Sequence, residues 1–206
     1  MADVEDILQA SEDMTTQELL RYLMTDKFPK KTIATCSLKG RSVALLKMVS
    51  EIDPSTPIVF CHSPNLYPES LEYRADLISK LGLTDIREPA ENEGGPLSGD
   101  RNHSESVWAE NPVDHSIAYK TIHLNQSLAD FDCWISGVYH GIYPAEPGPR
   151  VKREGRLIRI DPFAAWTRVQ VFQFLEDNGL HYHPKATQHC PEPVPKEAEA
   201  EASYHF

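Results

Sequence analysis

Short apolar runs alternate with apolar residues at helical spacing along most of the chain. Thr32–Cys36 and Ile58–Cys61 have the length and composition of strands. Each is followed by a polar turn and then by apolar residues three or four positions apart, over 43–52 and 71–81, and the same spacing returns over 117–128. Strands and helices that alternate with short connections are typical of a parallel sheet.

Capping residues predict where the helices begin and end. Thr15 and Glu18 have the spacing of a capping box, which predicts that the first helix begins at Thr15. Thr167 and Gln170 have the same spacing and predict the start of the last helix. The segment Pro68–Gly82 opens with a proline suited to a first helical position and closes with a glycine suited to a C-terminal cap.

Three further segments predict strands: the short Asp85–Arg87 and the more apolar Cys133–Val138 and Leu157–Ile160. Residues 88–113 and Tyr143–Gly155 have no period and are predicted to be loops. With the two earlier strands, the sequence therefore predicts an α/β fold of three layers. Its core is a doubly wound, mainly parallel five-stranded sheet with helices on both faces.

Composition and charge exclude several classes of protein. The chain has 206 residues, of which 40% are apolar and 25% charged, as in a globular domain. We expect a cytoplasmic protein without membrane contact, because no apolar run is long enough to cross a bilayer and Met1–Asp6 carries no apolar signal region. The net charge is -11, and residues 85–114 hold eight acids against two arginines. That sign disfavours nucleic acid as a partner.

Cysteine and histidine form two groups that are candidate zinc ligands. The groups are Cys36, Cys61, His62 and His140 near the predicted strand ends, and His181, His183, His189 and Cys190 further on. Neither has tight ligand spacing, so packed thiols and solvated or capping histidines are the favoured interpretation, and we predict no metal site. The fourth cysteine, Cys133, is predicted to be structural, and the absence of a C-x-x-C pair is typical of cytosolic thiols.

Polar residues follow the predicted strands at their carboxyl ends, where open parallel sheets bind ligands. The turn Ser37–Ser42 opens a helix, and the free backbone N–H groups of a first helical turn attract phosphate or sulfate. Ser37, Lys39 and Ser42 add side-chain donors. Because many strand-to-helix turns contain serine and glycine, this turn is either an anion-binding turn or an ordinary capped turn.

Five segments in order resemble the phosphoadenosine phosphosulfate (PAPS) reductase family of the adenine-nucleotide alpha-hydrolase-like superfamily. The segments are Thr35–Leu46, Ile58–Ser70, Trp134–Gly137, Leu157–Thr167 and Asn178–Pro184. The first lies where the family has its pyrophosphate loop, and Trp134–Gly137 is similar to the family's Trp-Ile-Thr-Gly. The resemblance implies a PAPS reductase-like nucleotide-binding domain over 31–190. The capping box predicts an N-terminal helical segment over 1–30, and the composition rich in proline, glutamate and alanine predicts a flexible acidic tail over 191–206.

The resemblance also implies a set of nucleotide-binding residues at the carboxyl edge of the sheet. These are Ser37, Leu38, Lys39, Gly40, Ser42, Ser63, Gly137 and Arg150. Within the set, Ser37, Gly40 and Ser42 are expected to cradle phosphate. Ser63 and Gly137 are expected to line the nucleotide cleft, and Arg150 to neutralise charge.

Several positions depart from the family pattern. Tyr139 and His140 stand where the family has two arginines that grip the sulfate. His115–Ser116 and a lone Cys190 stand where some relatives hold an iron–sulfur cluster with cysteine pairs. Residues 201–206 lack the nucleophilic cysteine of other relatives. We therefore expect no iron–sulfur cluster or other cofactor, and the resemblance assigns no catalytic residue.

These matches and departures predict a divergent relative that binds an adenine nucleotide or an adenylyl-sulfate-like anion. One alternative is an active phosphoadenylyl-sulfate or adenylyl-sulfate reductase, or a sulfur-transfer enzyme, that uses an external thiol or a relocated one at Cys36 or Cys61. Another is a nucleotidyl-transfer enzyme that attacks ATP at the α-phosphate and needs magnesium. A protein partner and a homo-oligomer are open possibilities.

Overall fold

The computed structural model describes residues 4–61, 66–87, 124, 126–137, 149–183 and 185. The α-helices in these ranges are α1 (Val4–Ala10), α2 (Thr16–Arg21), α3 (Gly40–Ile52), α4 (Pro68–Leu81) and α5 (Arg168–Asp177). A π-helical stretch, Tyr22–Lys27, continues α2. The strands are β1 (Thr32–Cys36), β2 (Ile58–Phe60), β3 (Ile86–Arg87), β4 (Cys133–Ser136), β5 (Val151–Glu154) and β6 (Leu157–Ile160).

The strands form one sheet in the order β3-β2-β1-β4-β6-β5. All neighbouring pairs are parallel except β5 and β6. In the central strand β1, Ala34 pairs with Ile58 of β2 on one side and with Ile135 of β4 on the other. The prediction of an α/β fold around a mainly parallel sheet is confirmed.

The predicted number of strands is wrong, because the described residues form six strands rather than five. The additional strand, β5, lies inside the segment Tyr143–Gly155 that the sequence predicts as a loop. Only Val151 is buried in it, and the three charged residues that follow are half-buried or exposed. Such a strand has no apolar period, because an edge strand pairs on one side only and tolerates charge. Gly155, at φ +61°, supplies the tight turn back into β6.

The first helix also begins earlier than predicted, at Val4 instead of Thr15. Helix α1 has seven residues and buries only Ile7, so its own sequence gives it little stability. The predicted capping box is present one helix later, where Thr15 caps α2 and pairs with Glu18. The predicted caps of α4 and α5 are also confirmed: Pro68 opens α4, Gly82 ends it in the left-handed region, and Thr167 with Gln170 caps α5.

Apolar side chains cover both faces of the sheet. On one face, Ala34, Cys36 and Ile58 pack in a cluster with residues of the helices, including Leu20, Val43, Leu46, Leu77, Val171 and Leu175. On the other face, Ile33, Val59 and Trp134 pack against Leu128 and Phe131. Burial on both sides explains why β1, β2, β4 and β6 are buried at every position and show no alternation.

Parts of the predicted organisation lie outside the described residues. These include the predicted loop 88–113, Ile117 and Thr121 of the predicted helix, and the predicted tail 191–206. At the end of that helix, the N–H of Leu128 donates to the carbonyl of Leu124 at 3.0 Å, which is the helical pattern. Within the described residues, no helix has both the length and the apolar character needed to cross a membrane.

Candidate functional site

The carboxyl ends of β1 and β4 lie side by side at the point where the strand order reverses. The chain leaves β1 toward β2 and β3 on one side of the sheet and continues in β4 on the other side. The N–H of Gly137, just after β4, is bonded to the carbonyl of Thr35 in β1 at 3.4 Å. Ligands of open α/β sheets bind in the crevice at such a reversal. The turn Ser37–Ser42 follows β1 directly into this crevice.

A left-handed residue reverses the chain between β1 and α3. Leu38 has φ +59°, a conformation that costs a branched residue about 1–3 kcal/mol unless its surroundings hold it there. Its side chain is 5% exposed and packs in the core, and its N–H donates to Sγ of Cys36 at 3.4 Å. Leu38 is therefore an anchor for the turn rather than a surface that faces a ligand.

The first turn of α3 carries backbone donors without a side-chain cap. Lys39 is the N-cap residue, has extended backbone and makes no capping hydrogen bond from its side chain. The first N–H groups of a helix have no intrahelical acceptor, and they carry the positive end of the helix dipole. Lys39 itself is exposed and adds a cationic side chain. This end of α3 is therefore suited to bind an anion.

The two serines of the turn lie against each other beneath this helix end. Oγ of Ser37 and Oγ of Ser42 are 3.2 Å apart, and Ser42 is fully buried. A hydroxyl that is paired with another hydroxyl keeps a lone pair or a proton for a further partner. The structure thus brings Ser37, Ser42 and the first turn of α3 together, as the sequence predicts.

Gly137 lies so close to the turn that no side chain fits there. A Cβ on Gly137 would be 2.7 Å from Cα of Ser42 and 3.0 Å from its Oγ. Real Cβ atoms do not approach backbone that closely, so glycine is required for β4 to end against α3. The sequence places Gly137 at the cleft, and its position beside Ser42 is consistent with that assignment.

Gly40 is packed against a side chain that the sequence reasoning does not assign to the site. A Cβ on Gly40 would be 2.5 Å from Cε1 of Tyr182 and 2.9 Å from both its Cζ and its hydroxyl oxygen. Tyr182 also stacks on Phe172 of α5, with ring centroids 5.8 Å apart and an interplanar angle of 19°. Tyr182 lies in the segment Asn178–Pro184 that resembles the family, which is the signal that could have found it, but no period in that segment places its side chain beside Gly40.

An ion pair that the sequence also does not reveal holds the second residue of α3. Nη2 of Arg41 lies 2.6 Å from Oδ1 of Asp161, just after β6. The same oxygen accepts the N–H of Phe163 at 3.1 Å. The partners are 120 positions apart in the chain, so only the fold brings them together.

One predicted residue, Arg150, lies away from this crevice in the described structure. The guanidinium of Arg150 donates to the carbonyl of Met14 at 3.1 Å, beside the N-terminal helices. Arg150 precedes β5, and β4 and β6 separate that strand from β1. Ser63 lies outside the described residues.

The described cysteines differ in their access to the crevice. Burial raises the pKa of the Cys36 thiol to about 12, against the smaller opposing effect of the Leu38 N–H, and it raises the pKa of Cys133 to about 12 as well. Cys61 follows β2 at the carboxyl edge and is only partly buried. Cys36 and Cys61 pack in the clusters on opposite faces of the sheet, although the N–H of Cys61 donates to the carbonyl of Cys36 at 2.7 Å.

The predicted absence of a metal site stays a prediction. His62, His140, His189 and Cys190 lie outside the described residues. Within the described part of the chain, no three residues of the cysteine, histidine and acidic types are grouped as metal ligands would be.

The loop after α5 is fixed to α4 on either side of Tyr182. The carbonyl of His181 accepts the hydroxyl of Tyr73. Nδ1 of His183 accepts the N–H of Lys185 at 2.9 Å, and the His183 ring meets the Tyr73 ring edge to face at 5.0 Å. Burial lowers the pKa of His183, which favours the neutral ring that this hydrogen bond requires.

A family model for the phosphoadenosine phosphosulfate reductase domain matches residues 31–192. The chain belongs to this family. The fold, the crevice at the strand reversal and the order of the five sequence segments all agree with that assignment. Membership of the PAPS reductase family, which the sequence indicates by resemblance, is therefore confirmed.

Named members of the PAPS reductase family are similar to this chain along most of its length. It is 23% identical to the adenosine 5'-phosphosulfate reductase of Halalkalibacterium halodurans, over 97% of this chain and 90% of that protein. It is 22% identical to the phosphoadenosine 5'-phosphosulfate reductase of Alteromonas mediterranea, over 89% of this chain and 74% of that protein.

A solved structure supports the fold of this PAPS reductase family member. The crystal structure of the phosphoadenylyl-sulfate reductase from Candida auris, a phosphate complex, superposes with a TM-score of 0.69 and covers 87% of each chain. Because the two sequences are 17% identical, this likeness carries the fold and not the activity.

Proposed function

We propose that this chain is a divergent PAPS reductase-like protein that binds an adenine nucleotide or an adenylyl-sulfate-like anion at the turn Ser37–Ser42. One observation carries the proposal: the first turn of α3, without a side-chain cap, opens at the strand reversal between β1 and β4. The phosphate or sulfate groups of the ligand would meet the free N–H groups of α3, with Ser37 and Ser42 as side-chain partners.

Charge and burial support an anion at this position. The positive end of a helix favours a negative charge by about 0.3–1 kcal/mol at an exposed site and up to roughly 2 kcal/mol in a partly buried one. Ser42 is fully buried, so a ligand atom that reaches its hydroxyl is shielded from water. The close approach of Gly137 to Ser42 keeps the crevice narrow at the same point.

The chemistry of the described thiols favours binding over catalysis. Reduction of adenylyl sulfate, a mixed anhydride of phosphate and sulfate, needs a thiolate that attacks sulfur, so that an S–S bond forms, the S–O bond to the phosphate breaks and the nucleotide leaves. A second thiol must then release sulfite. Cys36 and Cys133 are fully buried, and their raised pKa values leave almost no thiolate near neutral pH. Neither thiol is suited to the first step.

Cys61 supports a second candidate function, an active reductase or sulfur-transfer enzyme. It is partly exposed at the carboxyl edge of the sheet, just after β2, the strand next to β1. In this version Cys61, or a thiol of an external dithiol protein, attacks the sulfur, and the external dithiol completes the reduction. The two functions differ in whether bound adenylyl sulfate is consumed.

A ligand panel tests the binding proposal. Thermal shift and calorimetry would be measured with AMP, ATP, adenosine 3',5'-bisphosphate, adenylyl sulfate and PAPS. A ligand at one hundred times its Kd stabilises the folded state by about 2.7 kcal/mol, which such a panel detects. The variant Ser37→Ala/Ser42→Ala should bind more weakly by about 1–3 kcal/mol.

Two controls accompany the panel. One shows that weaker binding does not come from loss of folding, and the other distinguishes binding from turnover. Ser50→Ala, which removes an α3 serine that bonds within its own helix to Lys47, should leave the Kd unchanged. No shift with any adenylate contradicts the binding proposal. Sulfite release in the presence of thioredoxin, abolished by Cys61→Ser, would favour the reductase instead.

A further inference from the structure

Tyr182 occupies the space above the first residue of α3. The Cε1, Cζ and hydroxyl oxygen of its ring lie 2.5, 2.9 and 2.9 Å from where a Gly40 Cβ would be. A glycine in a phosphate-binding turn is ordinarily explained by the close approach of the ligand to the backbone. Here a side chain of the protein itself fills that space. Gly40 is therefore required by Tyr182, and a ligand at this end of α3 meets the phenol beside Gly40.

The position of Tyr182 is fixed by contacts on three sides. Phe172 stacks on its ring, and the neighbouring carbonyl of His181 accepts the hydroxyl of Tyr73 from α4. On the other side, His183 is 6% exposed and bonded to the N–H of Lys185. A side chain held by its ring and by both flanking residues loses little further freedom when it contacts a ligand.

The hydroxyl of Tyr182 is available to a ligand. Its side chain is 40% exposed, so solvent reaches the phenol. This contrasts with Tyr73, whose hydroxyl is engaged with His181. A phenol donates its proton readily to an anionic oxygen, and such charge-assisted hydrogen bonds are the stronger class.

We infer that Tyr182 is a ligand-contacting residue, which donates its hydroxyl to the phosphate or sulfate oxygen bound at the first turn of α3. The inference rests on the proposed function and adds to it a named donor. The anion is then held between the backbone of α3, the serine pair and the phenol, and Tyr182 closes the side of the turn next to Gly40. Tyr182 thereby contributes a hydrogen-bond donor in a chain that has Tyr139 and His140 where the family pattern has two arginines.

The variant Tyr182→Phe tests this inference because it keeps the ring and removes only the hydroxyl. The Kd for AMP and for adenosine 3',5'-bisphosphate, measured by calorimetry, should rise roughly ten-fold, as expected for one lost hydrogen bond to a charged group. The urea midpoint should stay unchanged, because the stacking on Phe172 and the packing on Gly40 are retained. A purely structural role would move the midpoint together with the Kd.

Tyr22→Phe serves as the matched control, since Tyr22 is a partly buried tyrosine of the N-terminal helices and should change neither quantity. An unchanged Kd in Tyr182→Phe, while Ser37→Ala/Ser42→Ala weakens binding, overturns the inference and leaves the proposed function standing. A parallel loss of midpoint and affinity in Tyr182→Phe also overturns it. Failure of the unaltered protein to bind any of the adenylates overturns the proposed function itself.

Discussion

Nη2 of Arg41 lies 2.6 Å from Oδ1 of Asp161, and this pair joins the start of α3 to the loop that follows β6. The two side chains are only 18% and 22% exposed, so solvent screens their attraction weakly. Asp161 also accepts the N–H of Phe163, which begins the connection to α5. One carboxylate therefore fixes the helix end of the candidate site and the segment leading to the helix that carries Phe172.

Asp161→Ala is expected to destabilise the protein by about 1–3 kcal/mol, because it leaves a partly buried guanidinium without its carboxylate and a backbone N–H without its acceptor. The free energy of urea unfolding measures this change. Glu51→Ala is the control, since it removes an ion pair to Lys47 within α3 whose carboxylate is 43% exposed. An exposed pair of that kind is worth about 0.3–0.5 kcal/mol, and equal losses in the two variants would contradict the prediction.

Gly137→Ala is expected to destabilise the protein through a steric clash, whereas the cost of a similar change at a left-handed glycine comes from the backbone. The new Cβ would meet Cα of Ser42 at 2.7 Å, so β4 or α3 must shift, with a penalty of about 1–3 kcal/mol and weaker nucleotide binding. Gly82→Ala is matched to it, because Gly82 has φ +64° and nothing within 4 Å of its added Cβ. Gly82→Ala should destabilise the protein by roughly 1–2 kcal/mol through its backbone conformation alone. It should leave the Kd unchanged. Calorimetry on both variants separates the two, and an unaltered Kd in Gly137→Ala would show that the crevice is elsewhere.

Thiol reactivity in the folded protein should distinguish Cys61 from Cys36 and Cys133. Because burial raises the pKa values of Cys36 and Cys133 to about 12, both should resist alkylation at pH 8 until the protein unfolds. Cys61 is partly exposed and should react first. Iodoacetamide labelling followed by peptide mass spectrometry measures the order. Labelling of Cys36 in native protein as fast as Cys61 would restore it as a candidate nucleophile.

Helices whose ends are marked by capping residues can be predicted from the sequence. Thr15 with Glu18 and Thr167 with Gln170 specify helix starts by contacts within four residues, and these helix starts are present. β5 has no such signal, because its stability comes from pairing with β6 at the sheet edge. Helix α1 is stabilised by packing rather than by its own seven residues.

In the candidate site too, local contacts can be predicted from the sequence and long-range contacts cannot. Ser37 and Ser42 are five positions apart in one turn, so their proximity is a local property that the sequence predicts. Tyr182 reaches Gly40, and Asp161 reaches Arg41, across more than one hundred positions. Such pairs depend on how α3, β6 and the loop after α5 come together, which no spacing in a single sequence reveals.

Acid should weaken the fold through His183. Because burial lowers its pKa in the folded state, folding disfavours the charged ring, and the stability it supports is complete above about pH 6.5 and is lost as pH falls toward the lowered value. Glu69 opposes this shift, Lys185 reinforces it, and Tyr73 covers the ring. Urea unfolding between pH 7.5 and 5 should show a smaller loss of stability in His183→Gln than in the unaltered protein. If the free energy of unfolding falls equally with pH in the two proteins, the acid sensitivity comes from groups other than His183.

Gly40→Ala and Tyr182→Ala should be coupled in a double-mutant cycle. Alone, Gly40→Ala forces the Tyr182 ring away from α3, because the Cβ would lie 2.5 Å from Cε1, and we expect a loss of about 1–3 kcal/mol. In the Tyr182→Ala background the same substitution meets no ring, and alanine is a better helix former than glycine, so the loss should vanish or reverse. The coupling free energy, measured by urea unfolding of all four proteins, should be roughly 1–3 kcal/mol. Additive effects would mean that Tyr182 does not contact Gly40 in solution, and the assignment of its hydroxyl to the bound anion would fall with that contact.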